Sequence, residues 1–382
     1  MKKFVVLGGY GNMGSICVRD LYDSCKDCEI IIAGRDLEKA KKYANSFKDK
    51  RVKYAKADVT NVNSTAKLLK NSDVCINCVQ YYFNLHVMKA CLIAKCNYLD
   101  LGGLFHMTRK QLKLHNKFKK INKIAILGCG STPGITNVLA AYGFSLLKYA
   151  KEMHVSFADY DETKYNQPFV LPYTMYTLFD EFTSKPPVFT KGRLIYMKSG
   201  SGEKNLEFPK PIGKVKGFYT IHSELATFPS SFDLKECSFR LTFPEEFNNQ
   251  IRFLINTGFA SNKEININSK KVKPRDFTAK IINQWLHKPG TKINDLEYVR
   301  VEIIGNKKLI LDCLTRSNKK YNYPGGSYDT GVPPSIIAQF ISNNIIRATG
   351  VYPPEKVIPA IKFFKELKKR KIYVYLNNKK VV

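Results

Sequence analysis

The 382-residue sequence predicts an α/β protein: an N-terminal doubly wound parallel sheet, a second α+β domain, and closing helices that return to the first domain. Three observations predict it. An apolar run, Phe4-Val5-Val6-Leu7, breaks at a glycine-rich turn and resumes as a helical pattern. Apolar runs then alternate with helical patterns to about residue 130, the order that builds a parallel sheet. From Val155 onward, strands separated by polar and proline-containing loops replace that alternation.

The glycine turn comes first. Gly9, Gly11 and Gly14 fall on G-x-G-x-x-G, between a buried strand and a helix on which Met13, Ile16, Cys17 and Leu21 recur at helical spacing. Such a turn, with Tyr10, Asn12 and Met13 carried in it, sets backbone N–H groups and a helix dipole against a dinucleotide pyrophosphate. The first domain is therefore expected to be a Rossmann domain. Glu29–Ala33 reads as its second strand, and the tip, Gly34-Arg35-Asp36, bears on the cofactor. Arg35 follows a residue without a side chain, which leaves room for a 2′-phosphate, so NADP is favoured. Asp36 either caps the next helix or, at roughly the spacing of a ribose-binding acid, points to NAD.

Helix 37–47, strand 52–56, helix 61–70 and strand 74–77 follow. Asp58, at the end of the third strand, either accepts from the adenine amine or caps a helix entry. Cys78 and Val79 lead out of the fourth strand toward the crevice expected to hold the nicotinamide. Helix 85–94, strand 97–100, helix 107–119 and strand 124–127 lead into a second glycine turn, Gly128-Cys129-Gly130-Ser131-Thr132-Pro133-Gly134, which opens a helix to about Tyr149.

Boundaries are expected at 1–130, 131–330 and 331–382. In the middle segment 155–160, 238–242 and 299–304 read as strands, and 192–217 as a lid or hairpin arm. In the last, Pro333-Pro334 marks a helix start, 356–369 is an amphipathic helix and 372–374 a strand.

Composition narrows the class. The length suits two domains, and 44 % hydrophobic with 25 % charged residues is ordinary globular usage. No apolar run is long enough to span a bilayer, so a soluble cytoplasmic protein without membrane contact is expected. The ten cysteines read as reduced, buried small hydrophobes. Cys25-x-x-Cys28 and Cys75-x-x-Cys78 stand too far apart for a zinc ribbon, and no metal is expected. The net charge of +30 is spread along the chain, a poor footprint for nucleic acid, though it would draw a polycarboxylate and a phosphate-rich cofactor toward a cleft.

In the second domain His222-Ser223-Glu224 is the constellation with chemistry. His222 is a proton-transfer candidate and Glu224 its orienting partner or an amine ligand; the plainer alternative is a polar pair pinning a loop to the sheet. Arg240, Lys210 and Arg316 are candidate clamps for substrate carboxylates.

Taken in order, GGYGNMG, INCVQYYFN with ACLIAKCNYLDLGG, GCGSTPGITNVLA, YTIHSELATFP, DTGVPPSIIAQFI, and GVYPPE followed by FFKELKKRKI resemble the saccharopine dehydrogenase-like family over nearly the whole chain. The resemblance implies a Rossmann domain, a mixed-sheet substrate domain, commonly a homodimer, and oxidation of a carbon–nitrogen bond or reduction of the corresponding imine. It implies a small amino-acid-like carboxylate substrate, first saccharopine, made from or split into glutamate and aminoadipate semialdehyde with NADP or else NAD. Lysine 6-dehydrogenase and carboxynorspermidine dehydrogenase chemistry are the related alternatives. A non-catalytic NAD(P)-binding redox or nucleic-acid-associated module is the alternative of another class. The resemblance also puts Tyr82, Asp100, Cys129, Thr132 and Asn137 in the nicotinamide crevice, with Asp100 first for an acid–base or orienting role. Family members often carry Asp directly before the Pro-Gly of the second glycine turn; this chain has Thr132.

Overall fold

The computed structural model describes residues 1–166, 169–282 and 291–382. Strands β1 (Lys2–Leu7), β2 (Cys28–Gly34), β3 (Val52–Lys56), β4 (Val74–Asn77), β5 (Asn97–Asp100) and β6 (Ile124–Ile126) form a parallel sheet. Its order is β6-β5-β4-β1-β2-β3, with Gly350–Tyr352 added in parallel beyond β6. Phe4, Val5, Val6 and Leu7 are all fully buried, as a strand covered by helices on both faces requires. The order reverses between β1 and β4, and the carboxyl ends of these two strands open the crevice in which ligands of such sheets bind.

The second sheet is mixed. Its centre is the long antiparallel pair Ala150–Asp161 and Asp295–Gly305, with Glu236–Leu241 parallel to the former and Lys308–Arg316 antiparallel to the latter. Residues 192–217 are a hairpin arm: Arg193–Tyr196, Lys204–Glu207 and Lys214–Tyr219 are strands at this sheet's edge.

The C-terminal segment ties the two sheets together. A helix over Gly325–Ser342 starts well before Pro333-Pro334, which lie inside it. At Gly331 it approaches the helix Asn12–Ser24 so closely that a Cβ would lie 2.6 Å from Ile16 Cβ. Asp20 of that first helix accepts from Ser335 at 2.6 Å and from Arg370 on both oxygens, at 2.7 and 3.0 Å. The 356–369 stretch is broken at Pro359 into Pro354–Val357 and Ala360–Lys369, because proline has no N–H for a continuing helix. Tyr373–Leu376 then joins the second sheet beside Lys308–Arg316. One buried cluster runs unbroken from Phe4 through Val299 to Phe364, so the second domain packs directly on one face of the first sheet.

Candidate active site

A cavity of about 1020 Å³ lies between the two sheets, floored by the first glycine turn and roofed by the second domain. Gly8, Tyr10, Gly11, Asn12 and Met13 line its floor. The left-handed residue of this turn is Gly8, at φ +73°, one position before the motif's first glycine. Gly14 has no room for a side chain, since a Cβ would overlap the Gly8 carbonyl. The helix Asn12–Ser24 has no acid in its first turn and no side-chain cap, so its first N–H groups lack an acceptor and face an open cradle that suits a pyrophosphate.

Beyond β2 the lining turns cationic, with Arg35 and Lys39 at the cavity wall. Asp36 is spoken for: its Oδ1 accepts from the Lys39 N–H at 3.0 Å as the cap of helix Leu37–Asn45. The space beside Gly34 is not left for a phosphate. The Tyr10 ring fills it, 2.5 Å from where a Cβ would stand, and Tyr10 Oη accepts from the Asp36 N–H at 3.0 Å. Asp58 lines the cavity but spends Oδ1 on the N–H and hydroxyl of Thr60, at 3.0 and 2.7 Å, which hold its carboxyl below the usual range. The helix-entry cap is Asn61. Cys78 and Val79 line the crevice as expected from the fourth strand.

His222 is one of the polar groups that the second domain turns into this crevice. It lines the cavity, stacks on Phe239 at 3.8 Å and 9°, and bonds through Nδ1 to Glu224. Glu224 is not on a strand but opens a short 3-10 turn, Ser223–Ala226, and is wholly buried. Its Oε1 accepts from Thr132 at 2.8 Å and Thr136 at 2.7 Å. Burial alone would raise this carboxyl; His222 and the two threonine hydroxyls hold it below its ordinary value. An ionised Glu224 makes Nδ1 the donor and leaves Nε2, which has no hydrogen-bond partner among the described residues, as the basic nitrogen.

The roof is acidic. Asp159, Asp161, Glu181, Asp295 and Glu297 line it, while the lining Lys and Arg residues, Lys39 and Arg35, stand at the far cofactor end. The chain's excess of positive charge is thus not found on this roof. Burial pushes Glu181 up to about 7, against a hydrogen bond from Tyr173 and the charge of nearby His222. Burial likewise raises Asp159 and Asp295 to about 6.

Several expected site residues lie elsewhere. Asp100 is outside the cavity lining, with both oxygens saturated: Gly102 and Gly128 N–H on Oδ1 at 2.9 and 2.7 Å, Tyr98 and Gln111 on Oδ2 at 2.8 and 2.6 Å. It pins β5 to the second glycine turn and positions that turn rather than exchanging protons. Cys129 is fully buried beneath it, its thiol pushed well up by burial, which corrects its expected catalytic place. Asn137 joins the Gly134 N–H to Glu355, at 2.8 and 2.7 Å, also away from the cavity. Tyr82 turns outward and bonds Asp180; its neighbour Tyr81 lines the cavity instead. Arg240 lies under the Tyr219 ring at 4.2 Å and donates to Gly202 O and Ser238, so it clamps no carboxylate in this cavity; Lys210 and Arg316 do not line it either. Thr132 does line it.

Two missed residues had a readable signal. Glu181 falls on the buried stripe of its helix, with Met175, Leu178 and Phe179, where an acid is out of place without a role. Lys39 sits a turn beyond the Arg35 tip on a helix start.

Residues 4–131 match the family profile described as saccharopine dehydrogenase NADP binding domain, and residues 130–372 that of the saccharopine dehydrogenase C-terminal domain. Among curated proteins, the chain is 27 % identical over 289 residues to a carboxyaminopropylagmatine dehydrogenase of Synechocystis sp., covering 73 % of this chain and 72 % of that protein. It is 25 % identical over 275 residues to a carboxynorspermidine synthase of Vibrio cholerae, covering 64 % of each. Among solved structures, apo saccharopine dehydrogenase (L-Glu forming) of Saccharomyces cerevisiae superposes with a TM-score of 0.75 at 15 % identity over 100 % of both chains. The homospermidine synthase of Legionella pneumophila superposes at 0.71 and 15 %, over 99 % of this chain and 92 % of that one. At such identity these structures speak for the fold alone.

Proposed function

The chain belongs to the saccharopine dehydrogenase family of NAD(P)-dependent oxidoreductases, and from that premise we propose that it acts with NADP on the carbon–nitrogen bond of a carboxylated polyamine, of the carboxynorspermidine or carboxyaminopropylagmatine kind. The observation that carries the substrate class is the acidic roof: five carboxylates and, among the described residues, no Lys or Arg. Saccharopine brings three carboxylates of its own, and like charges brought together cost several kcal/mol. A polyamine brings the opposite sign.

The nicotinamide, when bound, takes or returns a hydride at the carbon bearing the nitrogen. The residues here do the rest. The glycine turn and the first helix hold the pyrophosphate, while Arg35 and Lys39 favour a 2′-phosphate. His222 Nε2 takes the proton of the reacting amine, and the imidazolium so formed is stabilised by Glu224, itself fixed by Thr132 and Thr136. Glu181, near 7, holds the second proton, needed when a hydroxyl leaves the carbinolamine. Thr132 therefore supports the dyad's carboxylate in place of supplying one.

The test is a panel of carboxynorspermidine, carboxyaminopropylagmatine, saccharopine and lysine with both nicotinamide cofactors. A kcat/KM for one carboxylated polyamine at least ~100-fold above that for saccharopine, about 2.7 kcal/mol, is the expected result. Faster turnover of saccharopine or lysine refutes the proposal. Ten free cysteines are in keeping with a reducing, cytoplasmic setting. Among the described residues no helix is long and apolar enough to cross a membrane.

A further inference from the structure

At the deep end of the acidic roof, Glu297 faces the cavity, and behind it stands Asp329, a carboxyl with no exposed surface. They come from different elements: Glu297 from strand Asp295–Gly305, Asp329 from helix Gly325–Ser342. Neither oxygen of Asp329 has a hydrogen bond of normal geometry. It faces the hydroxyls of Thr315 and Ser131 and the Glu297 carboxyl, all of which work against the rise that burial gives its pKa. Ser131 donates weakly to Glu297 Oε1, at 3.4 Å, from the second glycine turn. A buried carboxyl pair without a cation or a full set of donors is costly to keep ionised.

We propose that Glu297, with Asp329 behind it, is the anchor for the cationic end of the amine substrate, and that the arrival of that end expels a proton the two carboxyls hold between them. The inference rests on the amine substrate proposed above and names where its far ammonium or guanidinium binds. Other titratable groups facing the pair are Asp159 from the neighbouring strand, Asp295 from Glu297's own strand, and the uncharged Tyr173 and Cys313. All the charge facing the pair is negative, so the empty pair keeps one proton: burial pushes Asp329 up to about 8 and Glu297 well above its ordinary range. A bound cation supplies the missing opposite charge. Both carboxyls then ionise, and the proton leaves to solvent. Ser131 sits on the same turn as Thr132, so the anchor and the His222–Glu224 dyad are braced by adjacent residues.

The experiment is calorimetric titration of norspermidine into the full chain saturated with NADP⁺, near pH 7, in PIPES and in Tris, whose heats of ionisation differ widely. The wild type should release about one proton more per bound triamine than Asp329→Asn, seen as a buffer-dependent enthalpy. Glu297→Gln should lose affinity by roughly tenfold or more along with the release. Binding whose enthalpy is the same in both buffers, affinity of Glu297→Gln within about twofold of wild type, or no binding of the triamine overturns the anchor. If neither variant folds, the two-buffer measurement on the wild type decides alone. The calorimetric arm does not depend on turnover. Triamine binding with proton release in a chain that transforms no carboxylated polyamine would refute the proposed function and leave the anchor standing. Turnover unaffected by Glu297→Gln would do the reverse.

Discussion

The Thr132 hydroxyl donates to Glu224 Oε1 at 2.8 Å, so the turn that ends the first domain supports the carboxylate that orients His222 in the second. Thr132→Val keeps the shape and removes the donor. A hydrogen bond to a charged acceptor contributes about 1.5–3 kcal/mol. The folded pKa of Glu224 lies below its ordinary 4.5, so its ionised form stabilises the fold above that value, and the stability is lost as pH falls through the folded one. Thr132→Val raises the folded value, and acid unfolding should begin at a higher pH. Urea melts between about pH 3 and pH 5 measure this, and an unchanged acid limb would mean that Thr136 alone suffices.

Glu181 has the opposite sign. Its folded pKa is near 7 against an ordinary 4.5, so protonation favours the fold: its contribution is full below 4.5 and lost as pH rises through 7. Glu181→Gln removes the loss while still accepting from Tyr173. At pH 8 the variant should be more stable than wild type by up to about 3 kcal/mol, and at pH 4 nearly equal to it. Thermal melts at the two values check the crossover; on the role proposed for Glu181, its kcat should fall as well.

Replacing the proposed proton-transfer residue separates chemistry from binding. His222→Gln should lower kcat by about 10²- to 10⁴-fold. The dissociation constant for NADP should stay near wild type, because His222 faces the reacting end of the cavity. Fluorescence titration of the reduced cofactor beside steady-state rates distinguishes the two. A near-wild-type rate would return His222 and Glu224 to the role of a pair pinning a loop to the sheet.

With Asp36 committed to the Lys39 N–H and the Gly34 space filled by Tyr10, the 2′-phosphate reading rests on Arg35 and Lys39. Arg35→Asp should weaken NADP by at least ~10-fold, the loss of one charge-assisted contact, and improve NAD. An unchanged ratio of kcat/KM for the two cofactors would remove the argument for NADP.

The first sheet and its glycine turn were legible because each strand is a local apolar run and each turn a local cluster of glycines. Asp100 misled because its saturation is largely non-local: Gln111 and Gly128 reach it only after folding, and from sequence it looks like any acid at a strand end. The acidic roof was illegible for a related reason. Asp159, Glu181 and Glu297 come from separate elements, and each alone reads as a solvated charge. His222 and Glu224 were visible as neighbours, but not the threonines that complete the network, since a hydroxyl at 132 or 136 carries no signal until residue 224 lies against it.

The cavity is also clasped from outside. Asp180 accepts from Tyr81 at 2.6 Å, from Tyr82, and from Arg275 at 2.9 Å, joining the turn after β4 to two helices of the second domain. The ion pair is largely buried, with side-chain exposures of 7 % for Arg275 and 14 % for Asp180. Burial and the Asp180 carboxylate push the Tyr82 phenol up to about 12, so that phenol keeps its proton near neutrality. Asp180→Asn leaves Arg275 buried without its counter-charge, which costs about 3–5 kcal/mol when a buried pair is broken. Asp180, Tyr82 and Arg275 stand outside the cavity lining. The loss should therefore fall on assembly of the cavity: KM rising for cofactor and amine together, kcat changing less, and Asp180→Asn with Arg275→Met together costing less than the sum of the two singles. A fall in kcat at unchanged KM would mean that the clasp acts on the chemical step, through Tyr81, the member of the clasp that lines the cavity.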